Sequence, residues 1–199
     1  MKIIETEEFF KTFEESGMTF NQWLEKFEKP EAKEKTKTFL KESEFIQEQC
    51  RAQLEELKYK QYLLVIAADW CGDCQRNLPI IELISRASDF LNLRILKKED
   101  HLDLLLKSNG GEKIPYVMFY SQDGYFISNW IERSYKAYKF ISDISKNFNY
   151  EKNETFFKAY AESFEKEKNK IIHSTSDEIV QMILKVNAIQ GASTRLNKK

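Results

Sequence analysis

The stretch "AADWCGDCQRNLP", residues 67–79, puts two of the chain's three cysteines three positions apart. Its left flank, "YLLVIAA" from Tyr62 to Ala68, is a continuous apolar run of strand length, as a strand covered on both faces would have. Its right flank, from Gly72 to Phe90, places Leu78, Ile81 and Ile84 on one helical face. Cys71 therefore falls at a strand-to-helix junction and Cys74 in the first turn of the helix. There Cys71 faces the positive end of the helix dipole and unpaired backbone N–H groups, which favour thiolate over thiol. Cys74, one turn along, is near enough for disulfide geometry yet shielded.

Such a pair has three readings: a reactive dithiol, half of a metal site, or two inert buried side chains. A structural zinc site needs four ligands, but a second Cys-x-x-Cys is absent, and Cys50, His101 and His173 are isolated in sequence. Gly72 and Asp73 suit an exposed turn better than a core. The dithiol reading is the strongest, and no metal is expected.

Working outward, "LRILK" from Leu93 and "YVMFY" from Tyr116 resemble the first strand, and "DHLDLLLKSNGG" between them reads as a short helix stopped by Gly110 and Gly111. "SQDG", Ser121 to Gly124, is a turn signal that joins the third strand to a fourth from Tyr125 to Ile131. A helix from Ser134 to Phe148 follows, with Tyr138, Ile141 and Ile144 as its expected buried side. The order strand, helix, strand, helix, strand, strand, helix predicts an α/β fold: a mixed sheet of about four strands flanked by helices.

Both ends read as helical extensions, so the chain divides into residues 1–59, 60–148 and 149–199. Phe9, Phe10 and Phe13 share a face that Gly17 can end, and Thr19 with Gln22 forms a capping box ahead of Trp23, Leu24 and Phe27. Beyond Pro30, the stripe Phe39, Ile46, Cys50, Leu54, Leu57 predicts one long amphipathic helix running into Lys58, with Cys50 a buried core thiol. The charge run "KPEAKEKTKTFLKESE" is the solvated face of that helix. At the other end Phe156, Tyr160 and Phe164 form a stripe, Thr175 and Glu178 form a second capping box ahead of Ile179, and the tail from Gly191 is expected to fray.

Composition narrows the function classes. With 199 residues the chain can bury a core without staples, and three cysteines are too few for a disulfide scaffold. Lys and Arg number 31 against 32 acids, with no block of one sign, so nucleic acid is not an expected partner. No apolar run approaches the roughly 20 residues of a spanning helix, and "MKIIETEEFF" lacks the pattern of a secretory signal. The expectation is a cytoplasmic protein without membrane partners.

"DWCGDC" after the apolar strand, with Trp70 before the first cysteine and Pro79 in the helix, resembles the active-site strand and helix of the thioredoxin superfamily. Ile114 and Pro115 in "EKIPYVMFY" are similar to the family's cis-proline at the start of its third core strand. "WCGDC" in place of "WCGPC" resembles a bacterial group with added amino-terminal helices.

The resemblance implies a thiol-disulfide oxidoreductase, with Cys71 attacking, Cys74 resolving and Trp70 covering one side of the site. Pro115 would face the dithiol, and the backbone of Ile114 would pair with an extended substrate. No cofactor is required. The partners would be a disulfide-bearing protein or small thiol and a cellular reductant. The alternative is a binding or redox-sensing module of the same fold.

Two departures from the family pattern stand out. Val65 occupies a position where the family often has a buried acid, which leaves Asp69 or Asp73 as the expected proton-transfer group. Asp73 beside the thiolate should also raise the Cys71 pKa and favour the disulfide form. Gly72, Asp73 and Asp69 are thus the expected tuning residues. Further on, the chain reads "NWIERS" where the family often has a groove-lining glycine.

Overall fold

A computed structural model describes residues 6–194 and 196. Four strands form one mixed sheet in the order β2-β1-β3-β4: β1 (Gln61–Ala67), β2 (Leu91–Lys97), β3 (Tyr116–Ser121) and β4 (Phe126–Ile131). β1 lies parallel to β2 and antiparallel to β3, and β3 is antiparallel to β4. The two central strands carry the continuous apolar runs because both of their faces are covered. Leu63, Leu64, Val65, Ile66 and Val117 through Tyr120 are fully buried, each large aliphatic side chain contributing about 1.5–3 kcal/mol. Gly124, at φ 79°, closes the β3–β4 turn in a conformation that favours glycine.

One face of the sheet is covered from the amino-terminal side. Helix α1 (Thr6–Lys11) runs into a π-helical turn (Thr12–Ser16), which brings Phe9 and Phe13 onto Tyr62, and Phe9 stacks on Tyr120 at 4.1 Å. Met18 then exchanges two backbone hydrogen bonds with Ile95, of 2.9 and 2.8 Å, and so covers part of the exposed edge of β2. Gly17 permits this approach: a Cβ there would sit 2.3 Å from the Phe13 carbonyl oxygen and 2.7 Å from Arg94 Cβ. Helix α2 (Phe20–Glu25) opens with the expected capping box of Thr19 and Gln22.

The stripe from Phe39 to Leu57 is buried as expected, but two helices carry it only as far as Leu54, so Leu57 and Lys58 lie beyond the helix expected to reach them. α3 (Pro30–Glu42) stops at Ser43, and α4 (Ile46–Leu54) resumes after a turn. α3 packs chiefly on α5 (Gly72–Arg86) and reaches α8 (Glu154–Ala192) through Phe39 against Phe164 and Glu42 bonded to Lys168, while α4 packs on both, with Cys50 meeting Ser176 at 3.2 Å. The turn after Ser43 separates a segment that packs chiefly on α5 from one that packs on α5 and α8 together.

α8 has 39 residues, and no second helix starts at Thr175. Thr175 is buried mid-helix and donates to Ser134 Oγ at 3.2 Å. Glu178 accepts from Trp130 Nε1 at 2.8 Å and from Tyr135 N at 2.7 Å, satisfying the first turn of α7 (Tyr135–Lys146) instead of capping its own helix. Partners distant in sequence have replaced the local cap. Helical structure continues to Ala192, past the expected fraying point, while Arg195 and residues 197–199 lie outside the described residues.

Ile172, Ile179, Val180, Ile183 and Val186 of α8 are fully buried, so this carboxy-terminal segment forms a layer of the core. Between the strands stand α5 (Gly72–Arg86), which packs on α3, α4 and α8, and α6 (Leu102–Asn109), ended by Gly110 at φ 67°. No helix among the described residues is long and apolar enough to cross a membrane.

Candidate functional site

The β1–α5 junction builds the site. Cys71 is the N-cap of α5, and its sulfur accepts a hydrogen bond from the Cys74 backbone N–H at 3.2 Å. Cys71 keeps 8% of its surface exposed and Cys74 none; both are free thiols. The Ile114–Pro115 peptide bond is cis, and the Ile114 carbonyl accepts from the Cys71 thiol at 3.6 Å. The two sequence elements thus meet: the cis-proline turn at the head of β3 lies against the Cys71 sulfur.

The two thiols, one turn apart, are driven in opposite directions. Hydrogen bonding from the Cys74 thiol, aided by the backbone N–H groups of Cys74 and Asp73, holds the Cys71 pKa below its ordinary value against burial and the Asp73 charge. Burial pushes Cys74 well above its ordinary value, and the neighbouring Cys71 sulfur pushes it further. Asp73 does oppose the Cys71 thiolate, as expected from the sequence, but the donors outweigh it. The geometry therefore favours ionisation at Cys71 and keeps Cys74 protonated.

The tuning and covering residues are placed as follows. Trp70 is 58% exposed beside the dithiol, held by Nε1 to Glu99 at 2.9 Å and by Lys98 5.4 Å from its ring centre. Asp69 accepts from the Glu28 backbone N–H at 3.0 Å, tying the α2–α3 connection to the site, and its carbonyl accepts from Gln75 Nε2 at 2.6 Å. Asp73 is gripped by both prongs of Arg133, Nε to Oδ1 at 2.9 Å and the second nitrogen to Oδ2. Val65 is fully buried between Ile95 and Val117. Both aspartates thus have partners other than Cys74. Neither is bonded to the Cys74 thiol, so the proton-transfer role expected of one of them has no direct contact behind it.

Within "NWIERS", the stretch that departs from the family pattern, Glu132 lies in the left-handed region at φ 62°. Its N–H donates to the Pro115 carbonyl at 2.8 Å, and its carbonyl accepts from Asn77 Nδ2 at 2.8 Å. Its carboxylate is ringed by Lys113 at 3.1 Å, Arg133 at 2.6 Å and the Tyr138 hydroxyl at 2.6 Å. This explains why Tyr138, read from periodicity as buried, stays more than a third exposed: its hydroxyl reaches out to Glu132. Sequence reading missed Arg133. "NWIERS" marks a departure from the family, but nothing local pairs Arg133 with an aspartate 60 residues earlier.

Beside the dithiol, α3, the start of α5 and α8 enclose a groove of about 580 Å³, lined by Glu31, Lys35, Phe39, Gly72, Arg76 and Tyr160 among others. Arg76 spans its floor over the rings of Tyr160 and Phe164. Among the described residues no group of three or more His, Cys, Asp or Glu could hold a metal ion.

A family model described as "Thioredoxin" matches residues 17–147, from the end of the π-helical turn to the end of α7. No curated protein matches the chain. Among solved structures, a protein of unknown function from Pseudomonas aeruginosa is similar over 94% of this chain and 98% of its own, with 18% identity and a TM-score of 0.61. An HIV epitope scaffold is similar over 90% of this chain and 96% of its own, with 20% identity and a TM-score of 0.60. At these identities the likenesses show the fold alone. The matched family model takes in β1, the Cys71–Cys74 turn, the cis Ile114–Pro115 bond and all four strands, and on that match the chain belongs to the thioredoxin family.

Proposed function

We propose that the chain is a thiol-disulfide oxidoreductase that reduces disulfides through Cys71 and Cys74. The observation that carries this reading is the Cys74 N–H donated to Cys71 Sγ at 3.2 Å, at the head of a 15-residue helix and against the Ile114 carbonyl. The Cys71 thiolate attacks a substrate disulfide, forming a mixed disulfide and expelling one substrate thiolate. Attack there removes the Cys71 charge and its hydrogen bond with Cys74, two of the influences that keep Cys74 protonated. Cys74 then loses its proton to the departing substrate sulfur or to water and attacks Cys71. The second substrate thiol leaves, and a Cys71–Cys74 disulfide remains. An external dithiol, or two equivalents of a small thiol, must return two electrons and two protons to close the cycle.

The substrate in this proposal is a disulfide-bearing protein or a small-molecule disulfide, lying across Trp70 and the Ile114 backbone. The working compartment is the cytoplasm, where an odd cysteine count is no liability. Two observations favour a second reading, a redox-sensing or binding module: Val65 replaces the family's acid, and both aspartates are engaged elsewhere. A disulfide-reduction assay with excess reductant separates the two. The oxidoreductase gives many turnovers per protein, lost in Cys71→Ser. One equivalent consumed and no more would overturn it in favour of the sensor.

A further inference from the structure

Acids are favoured in the first turn of a helix, where they offset the dipole, and Asp73 occupies that turn of α5. Here the same position is costly, because the carboxylate stands two residues from a sulfur that must carry negative charge. The chain places a cation on it from just beyond the edge strand β4. Glu132, held left-handed between the Pro115 carbonyl and Asn77 of α5, fixes the chain as it leaves β4, and Arg133 follows directly. Its guanidinium closes a fork on Asp73, touches Glu132 at 2.6 Å and lies 5.6 Å from the centre of the Tyr138 ring. The Asp73 and Arg133 side chains are only 19% and 23% exposed, so water screens the pair weakly. Arg76 stands 3.9 Å from Asp73 but is spread over Phe164 and Tyr160, so it does not supply the fork.

We infer that Arg133 is a positioning residue for the dithiol, offsetting much of the Asp73 charge beside Cys71 and fastening the cysteine turn to the end of β4. This rests on the reading of Cys71 and Cys74 as a reactive pair. The charged groups around the cysteine turn are Asp73 and Arg76 on its own helix, Glu132 and Arg133 beyond β4, Lys113 before β3, Asp69 after β1, and Lys98 with Glu99 at Trp70. Of these, Asp73 acts directly against the Cys71 thiolate. Removing Arg133 should therefore expose the sulfur to an uncancelled carboxylate.

The experiment is the rate of iodoacetamide alkylation of Cys71 against pH, read by peptide mass spectrometry in the full chain. At pH 7, Arg133→Gln should react about threefold to tenfold more slowly than wild type. Asp73→Asn should react faster than wild type, and the double variant Arg133→Gln/Asp73→Asn should return to near the wild-type rate. An unchanged Arg133→Gln overturns the inference. So does a double variant as slow as Arg133→Gln, which would mean that Arg133 acts only by holding the backbone. If Arg133→Gln does not fold, Arg133→Lys, which keeps the charge without the fork, should slow alkylation by less in the same direction, and a rate at or above wild type overturns the inference. These readouts need no turnover. Failure of the disulfide-reduction assay would sink the oxidoreductase reading and leave the alkylation ranking to be judged separately.

Discussion

Cys71 and Cys50 are both buried, both free and both on or beside a helix, yet their chemistry is driven apart. Cys50 lies between α4 and α8 with the Ser176 hydroxyl at 3.2 Å, and burial raises its pKa. Cys71 is also mostly withdrawn from water, but it receives hydrogen bonds at the open end of α5, and its pKa falls. Burial alone makes a thiol inert; burial with donors aimed at the sulfur makes it a nucleophile. The same contrast holds one turn away, where Cys74 is fully buried and held protonated.

The comparison can be broken most severely by Cys71→Ser, which should cost about a hundredfold or more in multiple-turnover disulfide reduction, since serine is a far poorer nucleophile toward sulfur at neutral pH. A variant that still turned over would place the chemistry elsewhere. Next in size is selectivity: at pH 7 iodoacetamide should modify Cys71 about tenfold or more faster than Cys50, counted peptide by peptide. Equal rates would remove the distinction between the two environments.

Cys50→Ala should leave disulfide reduction unchanged and lower stability to urea by about 1–2 kcal/mol, from a small void and an orphaned Ser176 hydroxyl. A loss of turnover in the folded variant would give Cys50 a role this account denies it. The smallest effect belongs to Ser176→Ala, at about 1 kcal/mol or less in urea, together with a further rise in the Cys50 pKa because a hydrogen bond that lowers it is gone. Thiol titration of Cys50 checks the direction.

Stability should carry a matching signature. Between the folded Cys71 pKa and the ordinary thiol value of about 8.5, the unfolded chain holds a proton that the folded chain has released. The contribution of Cys71 to stability therefore grows as pH rises through that window and is lost as pH falls below it. Cys74 works in the opposite sense above about 8.5, where its raised pKa makes folding retain a proton the unfolded chain gives up.

The dithiol and its setting were legible in the sequence because their signals are local. The apolar run of β1, the helix after it, the SQDG turn and Ile114-Pro115 each announce themselves within a few residues. Two helical predictions failed where the deciding partner lay far along the chain. The capping box at Thr175 was overridden by Ser134, Trp130 and Tyr135, and the stripe through Cys50 was broken at Ser43 between a helix on α5 and one on α5 and α8. The ion cluster around Asp73 was illegible for the same reason. Arg133 acquires its partner through the exit path of β4 and the backbone of Glu132, and neither appears as a pattern of spacing.

The claim that donors at the head of α5 outweigh both burial and Asp73 is tested most directly by one pH series of iodoacetamide alkylation on the reduced full chain, following Cys71 and Cys50 in the same samples. The account predicts that the Cys71 midpoint lies below that of an ordinary thiol and the Cys50 midpoint above it. A Cys71 midpoint at or above that of Cys50 would contradict it.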